Sequence, residues 1–245
     1  MLYLRETKII FIPDKRFRLE VSRLLNETSK MKNTPEKIEF LSSCFLGVPY
    51  QEFTLTGSDT DPESLIINLR GVDCFTLLDY VEAMRHASTF DEFAEHLIKT
   101  RYRDGIISFS HRNHFFTDWR DNNPDSIKDV TDQIGGPRTI IVNKTLNRKE
   151  DGTFFLKGIR CFERAVSYIP SGLIDEQVLD ALRTGDYAGI FAAAPGLDVS
   201  HVGMIIRKSG PLIFRHASSE NRKVLDEDFE KYISGKPGLV ILRPQ

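Results

Sequence analysis

The stretch that decides the fold is residues 68–85, Asn68-Leu69-Arg70-Gly71-Val72-Asp73-Cys74-Phe75-Thr76-Leu77-Leu78-Asp79-Tyr80-Val81-Glu82-Ala83-Met84-Arg85. Gly71 permits a tight backbone approach, because it carries no Cβ. Asp73 is a strong N-cap, since its carboxylate can accept from the orphan N–H groups of a first helical turn. Leu77, Leu78, Val81 and Met84 recur at helical spacing and predict one buried face. Cys74 then occupies the first helical position. There the positive end of the helix dipole and free backbone N–H groups favour a thiolate and raise its reactivity. The plainer alternative is a free cysteine that fills a helix start. On local sequence the two readings stand even, and histidines far downstream decide between them.

The chain has 245 residues, 40% hydrophobic and 28% charged, which suits one large domain or two small ones with an ample core. The net charge is −2 and the basic residues are dispersed, so no nucleic-acid surface is expected. Cys44, Cys74 and Cys161 are an odd, low count, which argues against a disulfide framework. They also lack the close pairing of a zinc site. No apolar run reaches the roughly 18 residues of a membrane span. Residues 1–18 mix charged and apolar side chains and lack the apolar region of a signal peptide. The expected location is the cytoplasm, or the cell envelope or periplasm if a leader has been removed.

Outward from the cysteine helix, residues 15–45 read as helical, through Leu19, Leu24, Leu25, Ile38, Phe40 and Leu41. Phe45-Leu46-Gly47-Val48-Pro49-Tyr50 is a turn, 51–63 a loop and 64–67 extended. A second helix opens at Thr89 with Glu92 as its capping-box partner. Its apolar face is Phe90, Phe93, Leu97 and Ile98. His86 and His96 have no partner at useful spacing and are expected on the surface. Residues 106–119 are rich in aromatics and hydrogen-bonding groups and hold the single Trp. Sugar sites combine such an aromatic face with Arg, Asp and His. An ordinary strand with a half-buried Trp accounts for the stretch as well. Strands are expected at 139–142, 154–159, 187–194, 199–207, 212–216 and 239–242. Residues 144–153 read as an exposed loop, and short helices are expected at 175–182 and 224–232. Helices first and strands last indicate an α+β fold.

The last hairpin carries the chemistry. Val199-Ser200-His201-Val202-Gly203-Met204-Ile205-Ile206 and Leu212-Ile213-Phe214-Arg215-His216 both alternate as strands. A four-residue turn at 207–210 pairs positions summing to 417, which sets His201 directly opposite His216. A one-residue slip would separate them. Two opposed histidines suit a relay, one imidazole deprotonating a thiol and the other fixing its tautomer. Two satisfied surface histidines, or a zinc site with Cys74 as third ligand, remain alternatives.

These residues resemble the NlpC-type, papain-like cell-wall cysteine amidases. The matching motifs are residues 46–50, Asp73-Cys74 opening a helix, Gly185-Asp186 before a strand, and His201-Val202-Gly203 and His216-Ala217-Ser218 on the hairpin. Val72-Asp73-Cys74-Phe75-Thr76, His114-Phe115-Phe116-Thr117-Asp118-Trp119 and Asp198-Val199-Ser200-His201 resemble, more narrowly, the N-acetylmuramoyl-L-alanine amidase branch, once listed as a domain of unknown function. Phe75-Thr76 stands where the common pattern has Ser-Gly, and the segment between the cysteine helix and Gly185 is long; both favour that branch.

The resemblance spans about residues 46–244. It implies one papain-like domain, with N-terminal helices packed on a C-terminal antiparallel sheet and a long insertion at about 100–170. It implies Cys74 as nucleophile, His201 as base and then acid, and His216 as the residue orienting His201. The substrate-binding candidates are Tyr50, Asp73, Arg112, His114, Asp118, Trp119 and Ser200. The implied reaction is hydrolysis of the amide between the lactyl group of N-acetylmuramic acid and L-alanine, without cofactor or metal. Peptidoglycan fragments are the expected partners of a monomer. A γ-D-glutamyl–diamino-acid endopeptidase and a glycoside hydrolase are the rival activities.

Overall fold

Helix formation begins where Asp73 ends an extended segment, and the rest of the molecule is arranged around that helix. The computed structural model describes residues 9–12, 15–208 and 210–245, so the expectation for residues 1–18 lies largely outside the described residues. In chain order the elements are β1 (Ile9–Ile12), α1 (Lys15–Ser29), α2 (Thr34–Ser43), β2 (Leu65–Asn68), α3 (Cys74–Met84) and α4 (Phe90–Arg101). Then come α5 (Phe116–Asp121), β3 (Ile127–Asp129), α6 (Thr131–Gly135), β4 (Ile140–Leu146), β5 (Phe162–Pro170) and α7 (Glu176–Ala181). The chain ends with β6 (Tyr187–Phe191), β7 (Val199–Ile206), β8 (Ile213–Ser218), β9 (Lys223–Asp228), α8 (Phe229–Ile233) and β10 (Gly238–Pro244). Among the described residues no helix is long and apolar enough to cross a membrane.

The main sheet runs β4-β5-β10-β6-β7-β8-β9, with β3 paired to the end of β10, and every pairing is antiparallel. β1 and β2 form a separate parallel pair. Strand alternation divides the sheet's side chains between two cores. Tyr187, Val202, Met204, Val240 and Leu242 face the core shared with α2, α3 and α4. Ala188, Ile190, Ile205, Phe214, Leu239 and Ile241 face a second core closed by α6, α7 and α8. The fold is therefore α+β with an antiparallel sheet. The segment at about 100–170 contributes β3, β4 and most of β5, which widen that sheet, as well as α5 and α6.

Helix α3 differs from its expectation in one respect. Leu77, Leu78, Val81 and Met84 are buried, but so is every residue from Thr76 to Met84. It is a central helix, packed on β7 and β8 as well as on α2 and α4. Its polar members survive burial by pairing: Asp79 with Arg101 at 2.7 Å, and Glu82 with Arg85 at 2.7 Å and with the Tyr187 hydroxyl at 2.6 Å.

Several other expectations need correction. Thr89 caps α4, accepting from the Glu92 N–H at 3.2 Å, but the Glu92 carboxylate turns to the Ser88 N–H and hydroxyl instead of closing the box. His86 and His96 stack on each other, centroids 5.3 Å apart, and His86 also reaches Glu82. Residues 144–153 are not wholly exposed. Lys144 is buried and donates to the carbonyls of Ala192, Ala194 and Leu197, while Asn147 is buried and bonds the backbone of Leu156 and Ile159. Residues 154–159 are turns with Phe154 and Phe155 exposed, and the strand comes later, as β5. Residues 224–232 divide into β9 and α8, because Asp228 caps a new helix by accepting from the Lys231 N–H.

Candidate active site

Cys74 sits where expected, at the first position of α3. Asp73 Oδ1 accepts from the Phe75 N–H at 3.0 Å and the Thr76 N–H at 2.7 Å, and Thr76 Oγ1 accepts from the Asp73 N–H at 3.0 Å. The reciprocal cap fixes the angle at which the helix starts. It also occupies Asp73, the carboxylate nearest the thiol, with backbone N–H groups. Residue 74 keeps partial exposure, while its thiol lies against the backbone of Val202, the residue after His201.

The charge state differs from the sequence expectation. Burial and the neighbouring Asp73 push the Cys74 thiol up to about 12, and hydrogen bonding from the Val202, Cys74 and Phe75 amides only partly opposes this. Burial, with His216 and Lys236 nearby, pulls His201 down to about 3. The resting pair is a neutral thiol and a neutral imidazole; desolvation outweighs the helix dipole. Tyr50 lies beside the thiol. Its N–H donates to the Arg222 carbonyl at 2.9 Å, and the Arg222 guanidinium lies 5.0 Å from its ring. Burial and the nearby Cys74 and Asp73 push its hydroxyl up to about 12, so it is a proton-bearing donor.

The histidines meet, but not in the assumed register. β7 and β8 pair Met204 with Arg215, Ile205 with Phe214 and Ile206 with Ile213, a sum of 419. His201 and His216 are therefore offset by two positions and lie diagonally on one face. A slip of two preserves the face that a slip of one would lose. His201 Nε2 lies 2.8 Å from His216 Nδ1, with the rings nearly perpendicular. Since these two nitrogens point at each other, they do not converge on a common metal. Among the described residues, no group of three or more His, Cys, Asp or Glu is arranged to hold one.

Two members of the site escaped the sequence reading. Glu227 on β9 places Oε2 2.8 Å from His216 Nε2, again on a diagonal, because β8 and β9 pair Phe214 with Glu227 and His216 with Leu225. Its signal was hidden in Asp226-Glu227-Asp228, where one acid pairs Arg215 and another caps α8. Tyr232 of α8 packs on both imidazoles, at 6.2 Å from His201 and 5.0 Å from His216. Burial and the nearby Glu227 and Cys74 raise its hydroxyl above the usual range.

The supposed sugar-gripping stretch is built differently. Residues 106–119 contain a short 3-10 turn and the start of α5 rather than a strand. Trp119 is 0% exposed and donates from Nε1 to Asp79 Oδ1 at 3.1 Å, so it offers no face to a ligand. Arg112 binds Glu63 at 2.9 Å and the Thr56 carbonyl. His114 bonds the Phe109 carbonyl at 2.7 Å, and burial holds it down to about 4. Asp118 pairs with Arg164 at 2.9 Å, yet burial and Asp198 push it up to about 6. These polar groups are engaged in tying the segment to its neighbours. Ser200 is exposed and turns its hydroxyl toward the Ile190 carbonyl, 3.4 Å away.

A family model described as N-acetylmuramoyl-L-alanine amidase-like (AmiA-like) matches residues 40–239. No curated protein matches the chain. Among solved structures, an N-acetylmuramoyl-L-alanine amidase from Bacteroides uniformis ATCC 8492 is 25% identical, with a TM-score of 0.71 over 86% of this chain and 99% of that one. A Legionella pneumophila protein from a domain family of unknown function has the same fold, at 24% identity, a TM-score of 0.78 and 94% of each chain covered. A putative xylanase from Bacteroides fragilis is 27% identical, with a TM-score of 0.65 over 83% of this chain and 99% of that one.

Proposed function

The chain belongs to the N-acetylmuramoyl-L-alanine amidase-like family, and from that premise we propose that it is an NlpC-type, papain-like cysteine amidase acting on peptidoglycan fragments. The bond proposed for cleavage joins the muramoyl lactyl carbonyl to L-alanine. The observation that carries the reading is Cys74 at a capped helix start beside the strand bearing His201, which is in turn hydrogen-bonded to His216.

The chemistry follows from these groups. Approach of the substrate carbonyl displaces water, and the Cys74 thiol passes its proton to His201 as sulfur attacks the carbonyl carbon. The Cys74 backbone N–H and the Tyr50 hydroxyl are the donors assigned in this reading to the developing oxyanion. The protonated His201 returns its proton to the alanine nitrogen, the C–N bond breaks and the free amine leaves. Water, deprotonated by the same ring, then attacks the thioester, releasing the muramoyl carboxylic acid and restoring the thiol. Two roles depend on one imidazole, and His216 keeps it oriented between them.

The xylanase reading requires two carboxyl groups flanking a glycosidic bond, roughly 5–10 Å apart. Near the thiol, Asp73 is consumed as a helix cap and Glu227 by His216. The test is incubation of the wild-type protein and Cys74→Ala with N-acetylmuramoyl-L-alanyl peptides, sugar-free L-alanyl-γ-D-glutamyl peptides and xylan, read by mass spectrometry. Release of L-alanyl peptides from the sugar-bearing substrate by the wild-type protein alone is the expected outcome. Activity retained by Cys74→Ala removes the thiol mechanism, and equal cleavage of sugar-free peptides favours the endopeptidase.

A further inference from the structure

The diagonal chain His201–His216–Glu227 has a direction. A carboxylate only accepts hydrogen bonds, so the 2.8 Å contact with Glu227 requires His216 Nε2 to carry a proton. In a neutral ring that leaves His216 Nδ1 bare, able only to accept. The 2.8 Å contact to His201 Nε2 then requires the proton to sit on that nitrogen of His201. The unprotonated nitrogen of His201 is Nδ1. We infer that Glu227 is a positioning residue that sets the proton order through both rings and leaves His201 Nδ1 as the basic atom presented to the thiol. This rests on the cysteine-amidase reading and adds to it a residue acting two hydrogen bonds from the reaction.

The surroundings agree with neutral resting rings. Burial lowers both imidazoles, and the Glu227 bond and charge only partly restore His216. The other charges facing the pair are Glu220 and Asp226 toward His216, and Lys236 toward His201. Asp226 is held by Arg215 at 2.6 and 2.8 Å. Tyr232 packs on both rings, and its hydroxyl feels Glu227 and Cys74. Glu227 is thus the acid in hydrogen-bond contact with the relay. When His201 takes the thiol proton, its Nε2–H and the His216 Nε2–H both become stronger donors along a line ending on that carboxylate.

Two measurements test the inference. In protein labelled with 15N-histidine, long-range nitrogen–proton spectra at neutral pH report the tautomer of each ring. Both rings protonated at Nε2 is the expected result, and His201 protonated at Nδ1 overturns it whether or not any variant folds. The second uses Glu227→Gln, whose amide oxygen can still accept from His216 without bringing charge. A charged acceptor is about twice as strong as a neutral one, so neutral-pH kcat and iodoacetamide alkylation of Cys74 should each fall about tenfold, with KM unchanged. The acidic limb of kcat/KM should move to lower pH, because the imidazolium is less stable. A variant that loses thermal stability but keeps the wild-type pH profile and alkylation rate shows Glu227 to be structural only. Failure of the underlying reading appears elsewhere, as turnover that survives Cys74→Ala.

Discussion

Replacing Trp119 with Phe separates a packing role from a binding one. The substitution removes the indole N–H that meets Asp79 Oδ1 at 3.1 Å, and leaves space among Phe75, Phe116 and Tyr187, whose rings lie 5.1–6.1 Å from the indole. A hydrogen bond to a charged group contributes about 1.5–3 kcal/mol. Asp79 keeps Arg101 at 2.7 Å, so the lower end applies. The ring atoms lost bury about 40 Å² of apolar surface, which at about 25 cal/mol/Å² adds about 1 kcal/mol before any cavity cost. The sum, about 2.5 kcal/mol before any cavity cost, corresponds to a melting point lower by about 5–10 °C for a chain of this size. Trp119 is the single tryptophan, so unfolding is followed by far-ultraviolet circular dichroism in urea, with kcat and KM measured alongside. The expected result is a lower urea midpoint with KM unchanged. An unchanged midpoint with a raised KM for the muramoyl substrate would refute the packing argument and restore Trp119 as a sugar platform.

His114 is held down to about 4 from an ordinary 6.5, so the unfolded chain binds its proton first as pH falls. Its contribution is present above about pH 6.5 and is lost as the pH drops toward 4, by up to about 3 kcal/mol; urea midpoints should fall across that window, and His114→Gln should flatten the fall. Lys144→Met strips the donor from the carbonyls of Ala192, Ala194 and Leu197, which should cost about 2–4 kcal/mol and show as faster amide exchange at residues 192–199. Unchanged exchange there would show that the loop holds itself. Cys44→Ser and Cys161→Ser should leave turnover within about twofold of wild type, since substitutions away from special sites shift free energies by about 0.5 kcal/mol at most; a larger loss in either would place a second thiol in the reaction.

Local chemistry made the cysteine helix legible. Asp73, Thr76 and the apolar residues after them can satisfy one another in only a few ways, and the capping signal coincided with the helical period. The histidine pair was legible for a weaker reason. The assumed register was wrong by two, but strand alternation has a period of two, so the error left both rings on one face. Glu227 was invisible because its partner depends on a second strand pairing, β8 with β9, that nothing local announces. Residues 106–119 misled because an aromatic beside Arg, His and Asp describes a sugar site and a buried polar cluster equally well. Depth decides between them, and depth is set by the contact of Trp119 with Asp79, far away in sequence. The thiol's charge state failed for the same reason. A helix start favours the anion, but the surrounding core removes the water that would stabilise it.

The bond from Trp119 to Asp79 bears on how this chain can be shortened. The segment at about 100–170 invites excision, by an engineer or by evolution, on the premise that such a stretch closes over itself. This one does not. Its indole sits against the central helix, and its Thr117 gives both its N–H and its hydroxyl to Asp198, the residue immediately before β7. Cutting it away would leave two buried carboxylates, Asp79 on α3 and Asp198 just before β7, with fewer of the donors that make their burial tolerable. A minimal version of this protein therefore cannot be reached by deletion alone. It would have to trade Asp198 for an apolar residue in the same step, while Asp79 stays to hold Arg101.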